Sequence, residues 1–100
     1  MAIAEEIRDI LDLRDQEVLR ILKVCKVERL AIFGSVARGE ATADSDVDLL
    51  VDFEEGADLL DQVGLKLELE ELLNRRVHVV TPGSLNKYIR DTVLKEAVYL

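Results

Sequence analysis

The chain has 100 residues, of which 49% are hydrophobic and 34% charged, and 13 basic against 21 acidic side chains give a net charge of −8. That size predicts one domain over residues 1–100 with a single modest core, and that composition predicts a folded, soluble chain. The acidic balance argues against nucleic-acid binding, which needs a basic footprint, and two Tyr and two Phe leave little for stacking bases.

No apolar run approaches the roughly 20 residues needed to cross a bilayer, so no membrane association is expected. The opening MAIAEEIRDI lacks the basic and then apolar pattern of a secretory signal. One cysteine, Cys25, permits no internal disulfide and fits a reducing cytoplasm; its place late in a helical pattern predicts a buried side chain.

Ile3, Ile7, Ile10, Leu11, Val18, Ile21, Leu22 and Cys25 recur at helical spacing, predicting one long helix or two short ones over residues 3–25, with Arg14-Asp15 as the interruption. RLAIFG (29–34) reads as a strand ending in glycine. VARGEATADS (36–45) reads as a loop, with room for one helical turn after Ser35. DVDLLVDF (46–53) reads as a second, mostly buried strand, closed by Gly56. Residues 57–74 form an amphipathic helix, and RVHVVT (76–81) a third strand ended by Pro82-Gly83. Ser84 is the expected cap of a last helix carrying Leu85, Ile89, Val93 and Ala97, with Tyr88 and Tyr99 packed along it. The expected fold is therefore α/β (α+β): a small mixed sheet with flanking helices in the order α-β-β-α-β-α.

The chemistry is concentrated in FGSVARGEATADSDVDLLV (33–51). Gly34 lets the backbone turn sharply as its strand ends, and N–H groups at such a turn, with the Ser35 hydroxyl, favour an anion such as phosphate. Asp46 and Asp48, two residues apart, project from one face of the next strand. Like charges so close call for a cation, and Mg²⁺ commonly bridges carboxylates to substrate phosphates. A phosphate cradle beside a carboxylate pair points to phosphoryl or nucleotidyl transfer. Taken alone, Asp46 and Asp48 would be a solvated strand start; their spacing from Gly34-Ser35 and Arg38-Gly39 favours a site. Glu54, Glu55, Glu68, Glu70 and Glu71 read as a solvated surface, and Arg75 and Arg76 as cations at a helix C-terminus.

Phe33, Gly34, Ser35, Ala37, Arg38, Gly39, Ser45, Asp46, Asp48 and Leu49 together resemble the signature of the DNA polymerase β-like nucleotidyltransferase superfamily, and specifically its minimal nucleotidyltransferases (MNT). The likeness runs over nearly the whole chain and implies the nucleotidyltransferase fold. It implies that Gly34 and Ser35 hold the triphosphate of ATP or another NTP, that Arg38 helps hold phosphate, and that Asp46 and Asp48 ligate Mg²⁺ or Mn²⁺. It also implies a HEPN-domain toxin as partner, with this chain as antitoxin, in some members by transfer of AMP to a tyrosine of the toxin.

The resemblance breaks at one place. The superfamily uses a third carboxylate from a later strand, and here that position is His78, the only histidine. Imidazole is a poor Mg²⁺ ligand but a capable base near neutral pH. Three readings stay open: His78 replaces the base; the site binds nucleotide and metal but transfers little or nothing; or His78 is an ordinary strand residue. Asp52 has the right parity but lies roughly 13 Å beyond Asp48 along a strand, too far to share a metal. Two functions follow. One is an enzyme that moves a nucleoside monophosphate to a protein hydroxyl. The other is a catalytically degenerate antitoxin that neutralises its partner by contact.

Overall fold

The structure is a computed structural model, and it describes residues 10–100. The expected helix over 3–25 falls partly outside the described residues. In its described part Ile10 is helical, a turn follows in which Asp15 N–H donates to Asp12 O (3.1 Å), and helix α1 runs over Gln16–Val24. Asp15 caps it by accepting from Glu17 N–H, so the Arg14-Asp15 interruption is a helix start. Val18, Ile21 and Leu22 are its buried stripe, and Cys25 at its end is buried too.

Strand β1 (Val27–Phe33) leads into a single helical turn, α2 (Gly34–Ala37), then a loop, then β2 (Val47–Phe53). Helix α3 (Leu59–Leu73) crosses to β3 (Val77–Val80). A 3-10 turn (Pro82–Ser84) precedes helix α4 (Lys87–Glu96) and a two-residue strand, β4 (Val98–Tyr99). The sheet order is β3-β2-β1-β4; β2 and β3 are parallel, and the other pairs are antiparallel. This is the expected mixed sheet with flanking helices, widened by β4. A two-residue strand is too short for alternation to reveal.

Strand parity sorts the side chains. Leu30, Ile32, Val47, Leu49, Val51 and Val77 meet α1 and α3 in the main core. Ala31 and Leu50 meet Val93 of α4 on the other face, with Val80, Leu85 and Ala97 packed around them. Helix α3 is started by a reciprocal Asp58–Asp61 capping box and stopped by Asn74, whose left-handed φ of 54° ends the helix. The expected amphipathic helix is apolar on both sides: Leu65 and Leu69 face inward, while Leu59, Leu60, Val63 and Leu67, whose spacing suggests the buried face, are exposed on its outer side.

Three expectations shift. Asn86, not Ser84, caps α4, by accepting from Ile89 N–H; Ser84 instead closes the 3-10 turn onto Thr81. Tyr99 sits on β4, with the Arg29 guanidinium 5.1 Å from its ring centre, and Tyr88 is on α4 but exposed. Glu70 is not simply solvated: it accepts from Val77 N–H (2.9 Å) and Lys66 Nζ (2.9 Å), tying α3 to the start of β3.

Candidate functional site

The end of β1 and the starts of β2 and β3 meet at one end of the strands. The antiparallel register sets Phe33 opposite Asp48, and the parallel register sets Asp48 opposite His78. All three expected chemical positions therefore converge on the face that carries α4. There they border an open cavity of about 540 Å³ lined by Phe33, Gly34, Ser35, Arg38, Ser45, Asp46, Asp48, His78, Val93 and Glu96.

Gly34 has φ +75°, a conformation that L side chains rarely adopt, and a Cβ there would collide with the Asp48 carboxylate. Glycine is thus required twice over, for the turn and for the close approach. The turn opens α2, whose first N–H groups have no intrahelical acceptor. The following loop is stitched rather than loose. Thr42 N–H donates to Ser45 Oγ (2.8 Å), and Arg75 Nη1 donates to the carbonyls of Thr42 (3.0 Å) and Ser45 (3.3 Å). Arg75 and Arg76 lie beyond the end of α3, so the expected helix-dipole role does not describe them. Arg75 clamps the loop that delivers Asp46, and Arg76 Nε lies 3.4 Å from Asp46 Oδ1.

His78 stands between the two carboxylates. Its Nε2 is 3.3 Å from Asp46 Oδ2, and its Nδ1 is 3.3 Å from Asp48 Oδ1. His78 is thus a strand residue of β3 whose ring stands beside both carboxylates. Burial pushes the Asp48 carboxyl above its ordinary value; His78 and Arg38 pull it back, while Asp46 and Glu96 push the same way as burial. Asp52 is engaged elsewhere, with Oδ2 3.1 Å from Arg29 Nη2.

Arg38 reaches the cavity but is not free. Its Nη1 donates to Glu96 Oε1 at 2.7 Å and its Nε to Glu40 Oε2 at 3.1 Å. Both acids, Glu96 foremost, push its pKa further up. Glu96 and Val93 are site residues that sequence reasoning missed. They sit on the last helix, and only the packing of α4 on the sheet brings them to the cavity.

The nucleotidyltransferase domain model matches residues 15–100. The chain belongs to this family. It is similar to the protein adenylyltransferase MntA of Thermococcus cleftensis, at 45% identity over 100 residues, covering 100% of this chain and 98% of that one. A solved candidate minimal nucleotidyltransferase superimposes with a TM-score of 0.77 at 49% identity, over 92% of this chain and 94% of the other. A toxin–antitoxin structure with AMP-PNP shares the fold at TM-score 0.70 and 21% identity, over 87% of this chain and 72% of that one. The chain is a nucleotidyltransferase, and enzymes of this family move a nucleotide from an NTP with the help of a divalent metal ion. Among the described residues, no helix is long and apolar enough to cross a membrane.

Among the described residues, no three acidic, histidine or cysteine side chains are grouped to cage a metal ion by themselves. Asp46 and Asp48 nevertheless fit one. They offer hard oxygens on one face, beside a turn that could hold phosphate, and Mg²⁺ is typically held by one or two carboxylates plus substrate oxygens rather than by an all-protein cage.

Proposed function

We propose that this nucleotidyltransferase binds ATP or another NTP with a divalent metal ion and transfers the nucleoside monophosphate to a hydroxyl of a protein partner, as the antitoxin of a HEPN-domain toxin. The observation that carries this reading is the convergence of the Gly34 turn, Asp46, Asp48 and Arg38 on one cavity. Asp46 and Asp48 would hold the metal ion. Bound there, it would offset phosphate charge and stabilise the attacking and leaving oxygens.

The chain's own residues do the rest. The turn at Gly34, with Ser35, holds and orients the phosphates, and Arg38 adds a positive charge to them. The acceptor oxygen forms its bond to the α-phosphorus as the bond from that phosphorus to the pyrophosphate oxygen breaks, and pyrophosphate leaves. The hydroxyl proton goes to the imidazole of His78, one of whose nitrogens must first part from its carboxylate neighbour, since Asp46 and Asp48 each stand 3.3 Å from one of them.

Three features support a protein acceptor. The relative from Thermococcus cleftensis is named a protein adenylyltransferase, and the fold neighbour with AMP-PNP is a toxin–antitoxin. The outer side of α3 exposes Leu59, Leu60, Val63 and Leu67 beside Glu68 and Glu71, and with the net charge of −8 that mixture suits a basic partner better than a second acidic copy. One observation favours a second reading. An imidazole 3.3 Å from both carboxylates takes up the space between them, as in a site that binds its partner without transferring.

Incubation with α-labelled ATP, Mg²⁺ or Mn²⁺ and lysate of the source cells separates the two. We expect a labelled protein band with the native chain and none with Asp48→Asn, and transfer preserved or raised by His78→Asp. No band with either metal, while metal-dependent ATP binding persists, would overturn transfer in favour of neutralisation by contact.

A further inference from the structure

We infer that Glu96 is a positioning residue that competes with the nucleotide's phosphates for Arg38, so that it holds the arginine in reserve and limits nucleotide affinity. The inference rests on the proposed role of the cavity as a nucleotide site.

The two acids on Arg38 are unequal. Glu40 lies on the loop with 65% of its side chain exposed, whereas Glu96 is 27% exposed and makes the shorter contact, 2.7 Å. That length is typical of a charge-assisted N–H···O bond, the strong kind. Glu96 is also anchored. It is the last residue of α4, Ala97 N–H donates to Val93 O behind it, and Val98 pairs with Ile32 of β1. The carboxylate is therefore part of the wall, whereas the Arg38 side chain is longer and more exposed, at 44%.

A triphosphate in this cavity finds Arg38 already paired. The cavity lining carries three acids, Asp46, Asp48 and Glu96, against the single guanidinium of Arg38 and the imidazole of His78. A metal ion would offset the two aspartates, whereas Glu96, which lines the same cavity, is paired with Arg38. Its neutraliser is the same group that the phosphates need. For Arg38 to bind phosphate it must leave Glu96, and Glu96 then faces the new anion unpaired. Both effects weaken nucleotide binding, and both disappear when the carboxylate becomes an amide.

The test is titration of the whole chain with AMP-PNP and Mg²⁺, by calorimetry, for native protein, E96Q, E96D, R38Q and the double variant E96Q with R38Q, with thermal melts alongside. E96Q is expected to lower Kd by about three- to tenfold, the scale of a strong but partly exposed ion pair. R38Q is expected to raise Kd, and E96Q to gain nothing in the R38Q background. E96D keeps the charge but withdraws it by one methylene, so its gain should be smaller; it carries the comparison if E96Q fails to fold. A merely structural Glu96 would lower the melting temperature without tightening binding, and that result overturns the inference. A gain that persists without Arg38 also overturns it, by removing the competition. Native protein that binds no nucleotide would defeat the reading on which the inference rests; native protein that binds, with no tightening in E96Q or E96D, would defeat the inference alone.

Discussion

Along β2, Val47, Leu49 and Val51 face α1 and α3 and are fully buried, whereas Asp48 and Asp52, with Asp46 just ahead of the strand, stand on the α4 side beside an ionisable or basic partner. The same seven residues thus serve two surfaces. The main core has two helices laid over it. The other face has only α4, whose small cluster with Ala31 and Leu50 leaves the edge near Asp48 open. One face supplies most of the apolar burial, and the other spends some of it on holding charges close together.

The contrast is broken most severely at Asp48. Asp48→Asn should reduce nucleotidyl transfer by at least about a hundredfold, measured with labelled ATP, because it removes charge where the reacting groups are held. It should also raise stability slightly at neutral pH. Because the folded-state pKa of Asp48 lies above its ordinary value, the folded form binds its proton more tightly than the unfolded one. Stability is therefore lost as pH rises from the ordinary value through the raised one, and the amide escapes that loss. Melts of the two proteins should converge in acid and separate towards pH 7.

The opposite face gives the opposite result. Leu49→Ala, at a fully buried position, should cost about 2–5 kcal/mol in denaturant unfolding, since it opens a cavity between sheet and helices. Its folded fraction should still bind nucleotide. Loss of nucleotide binding from protein that remains folded would show that the two faces are not separable.

Arg75→Ala tests how far the loop is built rather than merely placed. It removes two donated bonds, to Thr42 O and Ser45 O, and should cost about 1 kcal/mol with a modest loss of ATP affinity. The smallest expected effect is Glu70→Gln. Glu70 is held below its ordinary pKa by Lys66 and by Val77 N–H. Its contribution is fully present above the ordinary value and fades as pH falls through the lowered one. The native and Glu70→Gln melting curves should differ at pH 7 and merge in acid.

These particulars also mark what the sequence could reveal. The Gly34 turn, the two aspartates and the three longer strands are local: each is written in a run of ten residues or fewer, by alternation, a glycine or a spacing. The partners of those residues are not local. His78 meets both carboxylates only because β3 lies parallel to β2 in one register, and a shift by one residue would turn the ring to the other face. Arg75 looks like a helix terminator until the backbone turns at Asn74 and carries it back over the loop. Glu96 reads as one more surface acid at the end of a helix of mixed charge until α4 is docked. Ser84 and Asn86 are both good caps, and only the 3-10 turn ahead of α4 decides between them.

Arg38 and Glu96 are 58 positions apart in the chain. Their contact cannot form early in folding, because it requires a large loop to close and α4 to settle on a finished sheet. A partly made or nicked chain can therefore carry the whole Gly34–Asp48 segment and still lack a wall for its cavity. Readiness to handle a nucleotide becomes a late event in the life of the molecule, and a short peptide copied from the signature should be inert.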